Sequence, residues 1–349
     1  MKIGAIAQNP LEWVAIQAKL LPMPLLYSHF GFMMSKFLLE AVDVGIFETI
    51  GHDQKTLAEI AQACGGLNEK ALAGTLGVLA SMGQIDEQNG QFSLTAEAKK
   101  YLLKDSPDSV YWMMLFDNRV CMDWMSYFPE FLRTGKGLQY HDTFNSEEWY
   151  LYQNAMESAA TGLAKEAMKK LPIAARAAQM LDIGGSHGLY SVGMCKKAPN
   201  LQSTILDLPA AVEKAHTILA KYGMGERITY RPGNILTDDI GVAQYDYILM
   251  ANVAHHFTPE ENLLVTQKVH AALKPGGTFT ILEFMRQDAI KKNGDMLGAL
   301  GDLFFLLSST TGLWSQSEIE NWMQQAGFAG TKMVSFLTLP GLKAISGKK

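Results

Sequence analysis

The stretch Leu181-Asp182-Ile183-Gly184-Gly185-Ser186-His187-Gly188 carries three glycines within five residues, between an aliphatic run and a helical one. Glycine tolerates positive φ and lets a ligand approach bare backbone N–H groups at a helix N-terminus. A dinucleotide fingerprint needs G-x-G-x-x-G. Starting at Gly184 the third position is Ser186, and starting at Gly185 it is His187, so neither frame fits and a nicotinamide cofactor loses its main support. Nineteen residues beyond Gly188, the run Ile205-Leu206-Asp207-Leu208-Pro209 contains an acid whose two oxygens can accept from both hydroxyls of a ribose. Asp207 is equally suited to cap a helix that begins at Pro209. Spacing alone does not separate the two readings; the glycine loop ahead of it favours the ribose.

The elements that must position these residues alternate. Strand-like runs at Gln179–Ile183, Ser203–Leu206, Arg227–Arg231, Asp246–Met250 and Thr278–Glu283 are separated by helical patterns near Tyr190–Lys197, Ala210–Tyr222 and Pro259–Leu273. This order predicts an α/β domain with a doubly wound parallel sheet, whose ligands sit beyond the carboxyl ends of the strands. The domain boundary is expected near Leu171–Ala178. Upstream, Thr56–Leu103 reads as short helices followed by a hairpin turning at Asn89-Gly90, the pattern of a winged helix. Its second helix, Asn68–Ser81, has one lysine and no arginine, too little positive charge for phosphate contacts, so dimerisation or scaffolding is the better reading. Residues 20–50 are rich in Leu, Met and Phe at helical spacing, an apolar stripe that either a partner subunit or the domain's own core must cover. Residues 101–171 read as mostly helical and dense in aromatics and methionine, which fill cores and also line apolar pockets.

The pattern D-x-G-G-x-x-G from Asp182 to Gly188 resembles the first motif of class I methyltransferases that use S-adenosylmethionine, in which the loop packs against the amino-acid end of the cofactor. Gly233-Asn234-Ile235 resembles the family's Gly-Asp-aliphatic motif at the adenine. Asn234 stands where Asp is expected, and an uncharged amide oxygen there implies weaker binding. Ala251-Asn252-Val253-Ala254-His255-His256 and Leu273-Lys274-Pro275-Gly276-Gly277 narrow the resemblance to small-molecule O-methyltransferases of the plant caffeic-acid type and their bacterial relatives, over about residues 20–340. The resemblance implies a Rossmann-like, mostly parallel sheet over residues 172–349 that binds S-adenosyl-L-methionine and releases S-adenosyl-L-homocysteine. It implies a mainly α, winged-helix domain over residues 1–171 that forms a homodimer and contributes to the substrate pocket.

By the same resemblance, Asp182, Gly184, Gly185, Ser186, Asp207, Leu208, Gly233, Asn234, Ile235, Ala251 and Asn252 are the expected cofactor contacts. His255 takes the general-base position, removing the proton of a substrate hydroxyl; an imidazole is mostly neutral at pH 7 and can do this, whereas a free phenol near pKa ~10 needs help. His255 also reads as an imidazole bonded to a nearby carbonyl, and His256 competes with it. Glu283, at the end of the fifth strand, reads either as the group that orients His255 or as a solvated carboxylate. Leu313 stands where plant relatives carry an acid beside the base, which makes the pocket more apolar. Trp149, Met156, His256, Phe305 and Trp314 are the candidate acceptor contacts, each with a plain core reading beside it. C- or N-methylation, a rearrangement on the same fold, and a ligand-sensing DNA-binding regulator are the alternatives.

Across 349 residues, 48% are hydrophobic and 19% charged, with a formal charge of −5, which argues for a folded chain and against a nucleic-acid partner. Cys64, Cys121 and Cys195 are far apart and form no metal or disulfide pattern, pointing to a reducing cytoplasm and no metal. The N-terminal Met1–Ala5 stretch leads into Gln8, Asn9, Pro10 and Glu12, so no export signal is expected, and apolar runs such as Leu303–Leu307 are too short to cross a membrane.

Overall fold

The computed structural model describes residues 4–291, 294–309, 311–337 and 341–349, so the Met1–Ile3 start of the N-terminal stretch lies outside the described residues. The chain forms two compact units, which meet in sequence at Met122 and Asp123. The boundary therefore falls upstream of the expected 171/172. Helix Ser146–Lys170 belongs to the second unit because it packs along helices Leu189–Lys197 and Pro209–Ala220 of that unit. The contact is close enough that Gly193 has no room for a Cβ against Met168.

The first unit, residues 2–122, is helical with one small sheet. Strands β1 (Gln54–Thr56), β2 (Ile85–Gln88) and β3 (Gln91–Leu94) lie in the order β1-β3-β2, all antiparallel. Asn89 and Gly90 both have positive φ, as a two-residue hairpin turn requires. The hairpin was legible from Asn-Gly, whereas the short β1 carries no periodic signal. Leu72, Leu76 and Leu79 of helix Glu69–Ser81 meet Ile46, Phe47, Ile50 and Ile60 in the unit's core. The apolar stripe of residues 20–50 divides in two. Its later part, including Leu39, Val42 and Phe47, is core, while Leu20, Tyr27, Phe30 and Phe32 remain exposed.

The second unit is built on one large sheet. Strands β4 (Gln179–Ile183), β5 (Gln202–Asp207), β6 (Ile228–Pro232), β7 (Tyr245–Ala251), β8 (Leu273–Arg286), β10 (Thr331–Ser335) and β11 (Leu342–Lys348) run in the order β10-β11-β8-β7-β4-β5-β6, with β9 (Trp314–Ser315) beside the end of β8. Pairs from β6 to β8 are parallel; β11 and β10 add an antiparallel edge. The parallel, doubly wound core matches the expectation from alternation. The antiparallel strands were not anticipated, since their alternation is mixed with glycine and lysine. Helices on both faces make the core strands mostly apolar: Leu181, Ile183, Ile248 and Ile281 pack on one face and Met180, Leu249 and Leu282 on the other. Strand order reverses between β4 and β7, which leaves a crevice at their carboxyl ends. Among the described residues, no helix is long and apolar enough to cross a membrane.

Candidate active site

The crevice at the reversal point is a cleft lined, among others, by Gly184 and Ser186 after β4, Asp207 and Leu208 after β5, Gly233, Asn234 and Ile235 after β6, and Asn252, Val253 and His256 after β7. All lie in the second unit. The glycine loop is held tightly. Gly184 has φ +63°, its N–H donates to Leu206 O at 2.8 Å, and a Cβ on it would come within 2.5 Å of Val253 Cγ2. Gly185 lies directly over Asp182, where a Cβ would meet the carboxyl carbon at 2.6 Å. Neither Gly185 nor Asp182 lines the cleft; they support the loop from beneath. Asp182 is fully buried and accepts from Ser191 Oγ at 2.6 Å, and burial pushes its carboxyl up to about 7.

Asp207 faces the cleft with both oxygens engaged by the backbone: Oδ2 accepts from Ser186 N–H at 2.8 Å and Oδ1 from Leu208 N–H at 2.7 Å. Burial pushes this carboxyl up to about 6, and the two N–H donors oppose that rise. It does not cap the helix that starts at Pro209, whose N-cap Leu208 receives no side-chain cap bond among the described residues. Each oxygen keeps further lone pairs, so the carboxylate is fixed in orientation and still able to accept from paired hydroxyls. Asn234 uses its side-chain oxygen to close a local turn with the Leu236 N–H at 3.0 Å. Asn252, in the left-handed region at φ +54°, has a buried Oδ1 without a hydrogen-bond partner among the described residues, an acceptor suited to an N–H or O–H group in the cleft. Ala251 is buried at the end of β7 and does not line the cleft.

After β7 the chain makes a 3-10 turn, Ala254–His256, pinned by Asn262 Nδ2 donating to Ala254 O and Phe257 O, and by Trp314 Nε1 donating to Ala254 O at 2.8 Å. Trp314 thus acts from the core, against Trp322, rather than from the cleft. The turn fixes two imidazoles in different settings. His255 is 2% exposed, its Nδ1 lies 3.1 Å from Glu283 Oε1, and the ring of Phe305 covers its face at 3.8 Å between centroids. Glu283 is fully buried. Its Oε1 also accepts from the Phe284 N–H, and its Oε2 has no hydrogen-bond partner among the described residues. The carboxylate beside His255 therefore comes from β8. Leu313 is buried, and Thr311 Oγ1 donates to His255 O. His256 is the imidazole on the cleft wall; its Nδ1 is 2.5 Å from Ser309 Oγ, and burial, then His255 and His141, hold it well below the ordinary imidazole value.

Helix Ser146–Lys170, started by the Asn145/Glu148 capping box, supplies Trp149, Tyr152 and Gln153 to the same cleft. Gln153 is buried and accepts from Ser186 Oγ, tying this helix to the glycine loop. Met156, one turn on, is half-buried and outside the lining, as is Phe305. His141, Tyr152 and Gln153 were not anticipated. Their only sequence signal is the density of aromatic and polar residues between 140 and 153, which fits a core equally well. Among the described residues, no His, Cys, Asp and Glu side chains group so as to hold a metal ion.

Residues 129–329 match the model of the O-methyltransferase domain family. The chain is 24% identical to the L-tyrosine C(3)-methyltransferase of Streptomyces lavendulae, over 86% of its length and 84% of that protein. It is 23% identical to the 3-hydroxy-5-methyl-1-naphthoate 3-O-methyltransferase of Streptomyces sahachiroi, over 90% and 91%. The crystal structure of human N-acetylserotonin methyltransferase in complex with SAM superposes with a TM-score of 0.81 at 18% identity, covering 99% of both chains.

Proposed function

Since the chain belongs to the O-methyltransferase family, we propose that it moves the methyl group of S-adenosylmethionine to a hydroxyl of a small aromatic molecule, with His255 as general base. The fit of the cofactor to the cleft is supported by Gly184, where backbone takes the place of a side chain, by the oriented Asp207 carboxylate, and by the orphan Asn252 Oδ1. Asp207 would hold the ribose hydroxyls, the loop Gly184–Ser186 the amino-acid end, and Gly233–Ile235 the adenine. Asp182 and Gly185 serve the same site as supports beneath the loop. When bound, S-adenosylmethionine supplies a methyl group already activated by its sulfonium charge. The protein's share is then positioning and proton removal.

The observation that carries the base assignment is the buried pairing of His255 Nδ1 with Glu283. With Nδ1–H donating to the carboxylate, Nε2 is left as the proton acceptor, and the imidazolium formed on taking the acceptor's proton is stabilised in place. His256 suits the task less: its protonated form is disfavoured by burial and by two neighbouring imidazoles. The test is methyl transfer to a panel of phenols by the native protein, His255→Ala and His256→Ala. A fall in kcat at saturating phenol confined to His255→Ala supports the reading, and undiminished kcat in that variant overturns it.

A second reading rests on the similarity to the tyrosine C(3)-methyltransferase: the methyl would go to a ring carbon beside a phenol, the same base removing the phenolic proton as the carbon is methylated, with the ring hydrogen then lost and the hydroxyl restored as the ring rearomatises. Proton NMR of the product separates an O-methyl from a C-methyl group. The helical unit of residues 2–122, read as a winged helix from its helices and hairpin, would serve as a homodimerisation module in a cytoplasmic enzyme. Its exposed residues Leu11, Trp13, Leu20, Phe30 and Phe32 support this.

A further inference from the structure

His141 belongs to the short 3-10 turn Tyr140–Asp142 and reaches the same cleft wall as His256. Its ring lies nearly parallel to Trp149, 5.4 Å away and tilted by only 4°, so its plane is fixed. It stands 4.6 Å from His256, which in turn stands 4.2 Å from His255, so His256 is the ring next to each of the other two. Among the described residues, His141 has no hydrogen-bond partner in the protein and His256 uses only Nδ1. Imidazole nitrogens in a half-buried cleft are costly unless something bonds them, and what enters the cleft can. Burial pushes His141 down to about 4, so near pH 7 it is neutral, with one donor and one acceptor nitrogen. Among the described residues, no lysine or arginine lines the cleft to balance an anionic substituent.

We infer that His141, together with His256, is a specificity-determining residue that selects acceptors carrying an uncharged hydrogen-bonding group on the ring carbon next to the hydroxyl that is methylated. The inference rests on the methyl-transfer reading above. Successive imidazoles less than 5 Å apart can address neighbouring substituents on one aromatic edge, the hydroxyl toward His255 and an amide, carbonyl or second hydroxyl toward His256 and His141. A carboxylate in that second position loses its hydration without gaining a counter-charge.

The test is binding to the protein already loaded with S-adenosylhomocysteine, followed by tryptophan fluorescence or calorimetry. The probes are salicylamide, its isomer 4-hydroxybenzamide, and salicylate. Salicylamide is expected to bind about tenfold or more tightly than either of the others, and His141→Phe, which keeps the stack on Trp149, is expected to bring salicylamide to within about threefold of 4-hydroxybenzamide. Equal affinities for the three probes, or a preference for salicylate, in the native protein would overturn the inference without any variant. Retention of the salicylamide preference by a His141→Phe protein that still binds S-adenosylhomocysteine would remove His141 from it. Failure of the native protein to bind S-adenosylhomocysteine would instead sink the methyl-transfer reading, and this inference with it.

Discussion

Glu283 has one oxygen shared between His255 and a backbone N–H, and the other is buried and unpaired among the described residues. Such a group gains most when the imidazole beside it becomes charged, which is the moment of proton transfer. His255→Ala is therefore expected to lower turnover by about a hundredfold or more while S-adenosylhomocysteine affinity, measured by calorimetry, changes little. Glu283→Gln should lower turnover too, and the double variant should be little worse than His255→Ala alone, because the two residues act as one unit. Asp207 gives a pH dependence of definite sign. Its carboxyl is pushed up to about 6, and only the anion presents two charged, proton-free oxygens to accept from the ribose. Affinity for S-adenosylhomocysteine should be level above about pH 7 and fall as pH drops through 6; Asp207→Asn should flatten this profile and weaken binding throughout. Asp207 was legible in the sequence because its chemistry follows from a local spacing to Gly188. His141 and Gln153 were not, since nothing local tells a cleft-facing side chain from a buried one within an aromatic-rich helical stretch.

At the scale of elements, the site depends on two short connections whose backbones leave no slack. Gly184 combines φ +63° with a Cβ position 2.5 Å from Val253 Cγ2. Gly184→Ala should cost on the order of 1–3 kcal/mol of stability and weaken cofactor binding at least tenfold, measured by thermal unfolding and calorimetry; adding Val253→Ala should recover part of the loss, since it removes the clash but not the φ penalty. The turn Ala254–His256 is held by Asn262, whose amide also bonds Thr258 O from within helix Pro259–Ala272. The core strands and these helices were readable from periodicity because each buries a continuous apolar face. The antiparallel strands β10 and β11 were missed because a sheet edge accepts sequences whose polar residues break that pattern.

At the scale of the whole molecule, the exposed apolar residues of the first unit carry the remaining prediction. Leu11 is 82% exposed, Phe32 65% and Trp13 58%. Apolar surface this concentrated is expected to be covered by a second copy of the chain, giving twice the chain mass in sedimentation, and Trp13→Glu with Phe32→Glu should shift the population to monomer. A monomeric native protein at micromolar concentration would remove the dimer reading. The amino-acid sequence by itself determined the parallel α/β class, the glycine loop and the acid beyond it, because a strand buried on both faces and a loop of glycines are written in consecutive residues. Only the tertiary structure decided that helix Ser146–Lys170 belongs with the sheet, that the carboxylate beside His255 comes from β8, and that residues 141, 149, 153 and 256 share one cleft. These are contacts between elements distant in the chain, fixed by how helices pack across the sheet, and no local pattern of residues encodes them.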